Sequence, residues 1–200
     1  MRDFLTLFLP VYAVVFFGLV FVWRTWRAWK QTGINPYRLM NNPGPEVIIG
    51  RYFRLLPLLS LGVGAAYILS PWAYAQLAPF VWLDQLWLKV MGVLLMCLAL
   101  VVAVVAQAQM GASWRIGVDY DHETSLVNHG LFQYSRNPIF CAIMLSVLGF
   151  FLALPNAITL LIVMLDLILI EVQIRLEEDR LTQLHGDTYI NYCARVRRWA

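Results

Sequence analysis

Charge is scarce in this chain: 14% of its 200 residues are Asp, Glu, Lys or Arg, against about 25% in a typical soluble domain. With 60% hydrophobic residues and a mean hydropathy of +0.66, that scarcity excludes an ordinary soluble domain and implies an integral membrane protein. Cysteine is nearly absent too. Cys97, Cys141 and Cys193 are far apart in sequence, which rules out a disulfide framework or the paired spacing of a metal site and leaves three reduced, structural thiols. No Ser- or Gly-rich linker or low-complexity tract marks a boundary, so the chain reads as one structural domain. The small net charge of +3 reflects topology and anionic lipid headgroups, and nucleic acid is not an expected partner.

What the chain has instead is long apolar runs. A helix needs roughly 20 apolar residues to cross the hydrocarbon core, and such runs fall near residues 4–23, 55–74, 86–106, 138–154 and 157–174. The fold class is therefore all-α, with about five transmembrane helices. The last two segments are separated only by Pro155 and Asn156, so they form a tight helical hairpin. Residues 1–107 hold three N-terminal spans, and residues 108–200 hold a loop, the hairpin and a C-terminal polar helix.

Positive charge sets the orientation expected for these segments. Thirteen of the fifteen Lys and Arg residues follow the first, third or fifth segment; Arg2 and Lys89 fall on the other side. The N-terminus is expected outside and the C-terminus in the cytosol, in a bacterial inner membrane or an endomembrane. The first segment is not a signal peptide, because its apolar stretch is too long and WRTWRAWK stands where a small-residue cleavage site would be. Trp23, Trp26 and Trp29 read as interfacial anchors.

The polar residues cluster in two places. The loop QMGASWRIGVDYDHETSLVNHGLFQYSRNP between the third and fourth segments combines turn-forming Gly and Asn with the flat faces of Trp114, Tyr120, Phe132 and Tyr134. Its Asp119, Asp121, His122 and Glu123 are too close in sequence for a typical metal site, and no metal is assigned. Pro138 suits a first helical turn, so Arg136 and Asn137 stand at the N-terminal end of the fourth helix, where free amides favour an anionic group. On the fifth helix, Glu171 and Arg175 are one turn apart and Glu177 and Glu178 lie on adjacent faces. Asp166 sits inside an apolar run, where an ionisable group is costly unless protonated, paired or hydrated. A structural and a functional role for it both stay open.

These residues carry a family resemblance. Leu126-Val127, Gly130, the box Arg136-Asn137-Pro138-Ile139-Phe140, a membrane hairpin, Glu177-Glu178 to Leu181, then Gly186, Tyr189 and Tyr192 resemble the isoprenylcysteine carboxyl methyltransferases and their phospholipid methyltransferase relatives. The resemblance covers about the C-terminal half. It implies an integral membrane methyltransferase that binds S-adenosyl-L-methionine from the cytosolic side and methylates a lipid, or a lipidated small molecule or peptide, arriving through the bilayer, with no obligate protein partner. Carried over residue by residue, it implies cofactor contacts at Asp119, Thr124, Ser125, Leu126, Val127, Phe132, Asn137, Pro138, Ile139, Phe140 and Glu177. Asn137 stands where His is commoner, Phe132 and Phe140 stand where Tyr is usual, and Gln173 occupies the position of a substrate-side Arg. Arg175 is the nearby substitute.

Methyl transfer from a sulfonium is an in-line displacement that needs positioning and desolvation and no metal. A carboxylate acceptor would arrive ionised and need a positive orienting group, for which Arg136 and Arg175 are the candidates. An amine acceptor would need deprotonation and would draw attention to Glu171 and Asp166. Three alternatives compete. An NADPH-dependent membrane reductase resembling the sterol reductases shares a similar C-terminal design but would require more clustered phosphate donors. A non-enzymatic membrane scaffold would explain the topology and leave the ordered loop, box and Glu pair without a purpose. A transporter would show repeats and matched broken helices, which are missing here.

Overall fold

The computed structural model describes residues 1–38, 45–117, 122 and 124–199, and among them every named element is helical. Helix α1 (Arg2–Phe17) runs through a π-helical stretch, Gly18–Trp23, into α2 (Arg24–Thr32). The π turn breaks the regular backbone ladder. Inside the bundle a carbonyl short of a donor is expensive, and Gln107, 3% exposed, donates from Nε2 to the Val20 carbonyl at 2.9 Å. Gly33 ends α2 in the left-handed conformation, its N–H returning to the Trp29 carbonyl at 2.8 Å.

Helix α3 (Pro45–Leu69) is stopped by Ser70 and Pro71; Ser70 caps the short α4 (Pro71–Ala75) by accepting from the Ala73 N–H at 3.2 Å. The apolar run predicted over 55–74 is therefore two helices, because Pro71 supplies no N–H to continue α3. Helix α5 (Leu86–Met110) and helix α6 (Pro138–Ala153) follow, then α7 (Ala157–His185) and α8 (Asp187–Arg195). Four stretches, Arg2–Thr32, Val47–Leu69, Leu86–Ser113 and Ala157–His185, are long and apolar enough to cross a membrane. The fifth segment, α6, has 16 residues and is about 24 Å long at 1.5 Å per residue, somewhat short of the hydrocarbon core. Helix α7 continues to His185, well past the apolar run that ends at Ile174.

Helices α5 and α6 meet through small residues, as membrane helices do where backbones approach closely. Ala99, Ala103 and Ala106 on α5 and Ala142 and Ala153 on α6 are fully buried. At the tightest point, a Cβ on Gly92 would lie 2.5 Å from the Gly149 carbonyl oxygen and 2.9 Å from the Ala153 nitrogen. The hairpin turn between α6 and α7 is closed by Asn156, which is fully buried and accepts from the N–H groups of Ile158 and Thr159, both at 3.0 Å. The Thr159 hydroxyl accepts in return from the Asn156 N–H at 3.1 Å, completing a capping box. Outward-facing Leu7, Val14, Leu58, Leu94, Val101 and Ile168 are exposed and give the bundle the apolar outer surface of a membrane protein.

Gly92→Val tests the seam. It should force α5 from α6 at a cost of about 1–3 kcal/mol, read as a lower unfolding temperature in detergent, whereas Gly62→Ala, whose Cβ meets open space, should not lower it.

Candidate active site

One end of the bundle gathers the C-terminal end of α5, the loop that follows it, the N-terminal end of α6, the C-terminal end of α7, and α8. The loop is fastened from both sides. Arg24, 6% exposed, donates to the Gly111 carbonyl at the end of α5 and lies 6.0 Å from the ring centroid of Trp114, so a cation meets the negative end of the helix dipole. Gln109 Oε1 accepts from the Leu131 N–H at 2.8 Å. Gly130, at φ +62°, lies against that amide, where a Cβ would collide with Gln109. The 3-10 turn Gly130–Gln133 then presents Phe132, 7% exposed. Ser113 and Ser125 join their hydroxyls at 2.8 Å and fix the stretch 124–127 beside it.

The start of α6 is held by the C-terminal tail. The Arg136 N–H donates to the Arg197 carbonyl at 2.9 Å, and Asn137 Nδ2 to the Arg198 carbonyl at 3.1 Å. Tyr192 on α8 donates its hydroxyl to the Phe132 carbonyl at 2.6 Å. Helix α7 faces this assembly with two carboxylates in different states. Glu177 Oε1 accepts from Gln173 Nε2 at 2.9 Å. Glu178 is ion-paired to Arg136 at 3.0 Å and to Arg198 at 2.6 Å.

These groups form one end of a single cavity of about 760 Å³ that extends among α1, α3, α6 and α7 as far as Phe150 and Asp166. Residues 124–127 and 136–140 line it, together with Phe132, Gln173 and Glu177. Arg175 does not. Its side chain is 63% exposed and bonds Glu171 at 2.9 Å, on the outside of α7. Asp119 lies outside the described residues. Glu178 joins Glu177 on the cavity wall, as do Arg54, Tyr37, Tyr189 and Tyr192. Tyr189 and Tyr192 were visible as a spaced pair, but Arg198 reads in sequence only as one more positive charge, and nothing local marks Arg54 or Tyr37.

The cavity is polar and aromatic at one end and apolar along its stem, within a bundle of membrane-length helices. The family model described as phospholipid methyltransferase matches residues 87–188, and the chain belongs to that family: it is a membrane methyltransferase acting on lipids. No curated protein matches the chain. The match spans α5 to the first turn of α8 and includes most of the polar end, while α1 and α3, which wall the apolar stem, lie outside it.

Burial pushes the Tyr192 phenol up to about 12, above its ordinary value near 10. The neutral hydroxyl is the form that donates to Phe132, so its contribution is complete below about pH 10 and is lost as pH rises through 12. Tyr192→Phe should cost about 1 kcal/mol near neutral pH, and the gap in detergent unfolding temperature between variant and native chain should close between pH 10 and 12.

Proposed function

We propose that the chain transfers a methyl group from S-adenosyl-L-methionine to a lipidic acceptor held in the apolar stem of the cavity. The observation that carries this reading is continuity: the cofactor-type groups and the apolar stem share one cavity, whose size falls within the range of small-molecule sites. The donor set suits the cofactor. Glu177 has one oxygen engaged by Gln173, leaving the other for an ammonium. Asn137 uses its Nδ2 on the tail and keeps Oδ1 as an acceptor. Phe132, Phe140 and Trp114 offer flat faces to a purine or a methionyl chain, and residues 124–127 offer backbone groups.

When bound, the cofactor supplies an electrophilic methyl group. The chain's own residues orient the acceptor in line with it and exclude water, which strengthens every charge interaction inside the site. For a carboxylate acceptor such as a prenylcysteine, Arg136 and Arg54 are the orienting cations. Arg136 is already balanced by Glu178; Arg54 makes no ion pair among the described residues, donating from Nε to the Tyr37 hydroxyl at 2.7 Å. Arg175, on the outer face, is not part of this assignment. Arg and Lys gather at the polar end, and Arg2 and Lys89 begin α1 and α5, which supports a cytosolic active site with the N-terminus outside.

Calorimetric titration of the detergent-purified chain with S-adenosylhomocysteine, with NADPH in parallel, tests the reading. Saturable binding of the former alone is expected, weakened about tenfold or more in Glu177→Ala and Asn137→Ala, since each removes a charged or buried polar contact. Arg27→Ala should bind as the native chain does. Binding of NADPH alone overturns the proposal.

A further inference from the structure

The apolar stem contains a polar group without a partner. Asp166 is 5% exposed, lies on α7 and lines the cavity. Other buried amide side chains are answered, Gln107 by the Val20 carbonyl, Gln173 by Glu177 and Asn156 by the Leu154 carbonyl; Asp166 makes no hydrogen bond among the described residues. An ionisable group inside a membrane helix is costly and stays only where something in the bundle answers it.

Two further polar groups line the same cavity at a similar level along the bundle. Tyr12 of α1 and Ser146 of α6 join their hydroxyls at 2.8 Å and both line the cavity. Ser146 is nine residues into the bundle from Asn137, about 13 Å along α6, and Asp166 is eleven residues from Glu177, about 16 Å along the antiparallel α7. Between these levels and the polar end the wall is built from residues such as Phe16, Leu56, Ile139 and Ile143.

We propose that Asp166, with the Tyr12–Ser146 pair, is a second polar station that recognises a hydroxyl carried part-way along the chain of the lipidic ligand; this rests on reading the cavity as the acceptor's chamber. The chemistry favours a hydroxyl. The two side-chain hydroxyls use one O–H between them and keep the other as a donor, while the carboxyl offers acceptor oxygens, so a ligand O–H can donate to Asp166 and accept from the pair. A cation at this depth would carry a far larger desolvation cost. A ligand whose chain is purely hydrocarbon leaves Asp166 without a partner and the Tyr12–Ser146 pair with only its mutual bond, and a site built for a hydroxyl discriminates against the analogue that lacks it.

Oleate and ricinoleate differ only by a mid-chain hydroxyl, and their radiolabelled forms can be compared on the full chain in detergent by scintillation proximity. Ricinoleate should bind about fivefold to tenfold tighter, the ratio given by one or two net hydrogen bonds. Asp166→Leu should bring ricinoleate to the affinity of oleate without weakening oleate, and Ser146→Ala should reduce the preference. Equal affinities on the native chain, failure of both acids to bind, or a preference that survives both substitutions overturns the proposal. S-adenosylhomocysteine titrated against the same preparations separates the two readings. A hydroxyl preference without binding of that compound leaves the station standing and removes the proposed cofactor reading; the reverse result does the opposite.

Discussion

The Glu178 carboxylate receives Arg136 from the start of α6 and the Nε and Nη2 groups of Arg198 from the tail, the latter two at 3.1 and 2.6 Å. One anion on α7 thereby ties together three parts of the chain that are remote in sequence. Its contribution is more to arrangement than to net stability, because the desolvation of such half-buried charges offsets much of their attraction. Without that anion, Arg136 would lose its counter-charge and the Arg198 side chain would be held by Glu171 alone. The tail is what satisfies the Arg136 and Asn137 backbone and side-chain donors, so the geometry of the proposed cofactor end follows from this one node. Glu177, one residue away, is left to a neutral partner, Gln173, and is therefore available to a ligand charge.

The second constraint is the close contact of α5 with α6. A short α6 cannot bury much of its own surface, and in lipid the association of helices depends on packing and on polar contacts. Gly92 and Gly149 allow the two backbones to touch, and this sets the loop at the end of α5 directly over the start of α6. Gln109 and Gly130 then complete the join. The helices that do not pack tightly here, α1 and α3, are the ones that leave room for the stem of the cavity. The stem proposed for the lipidic acceptor thus lies where packing is released, beside the polar end.

Much of this was legible in the sequence, in proportion to how local the cause was. The apolar runs gave the spans because crossing a bilayer imposes a length on each of them. Their limits were less legible. Helix α7 outruns its apolar segment because Glu171, Arg175 and Glu178 continue the helix with one-turn side-chain pairing and tail contacts, and the second run divides at Ser70-Pro71. The box at residues 136–140 and the Glu pair were legible as types and spacing. Which cations face the cavity was not: Arg175 turns outward to Glu171 while Arg54 lines the wall, and no local pattern separates the two.

Composition and the order of motifs along the chain determined by themselves that this is a helical membrane protein with a hairpin, a polar loop and a family pattern in its C-terminal half. Those features depend on the period and length of runs, which are properties of neighbouring residues. Tertiary structure alone decided that the tail closes over Ser135 to Asn137, that Glu178 is a fastening while Glu177 is held by Gln173 on the cavity wall, and that Tyr12, Ser146 and Asp166 line one cavity. Each of those outcomes brings together residues from different helices, and such meetings are set by how helices pack and where they leave space.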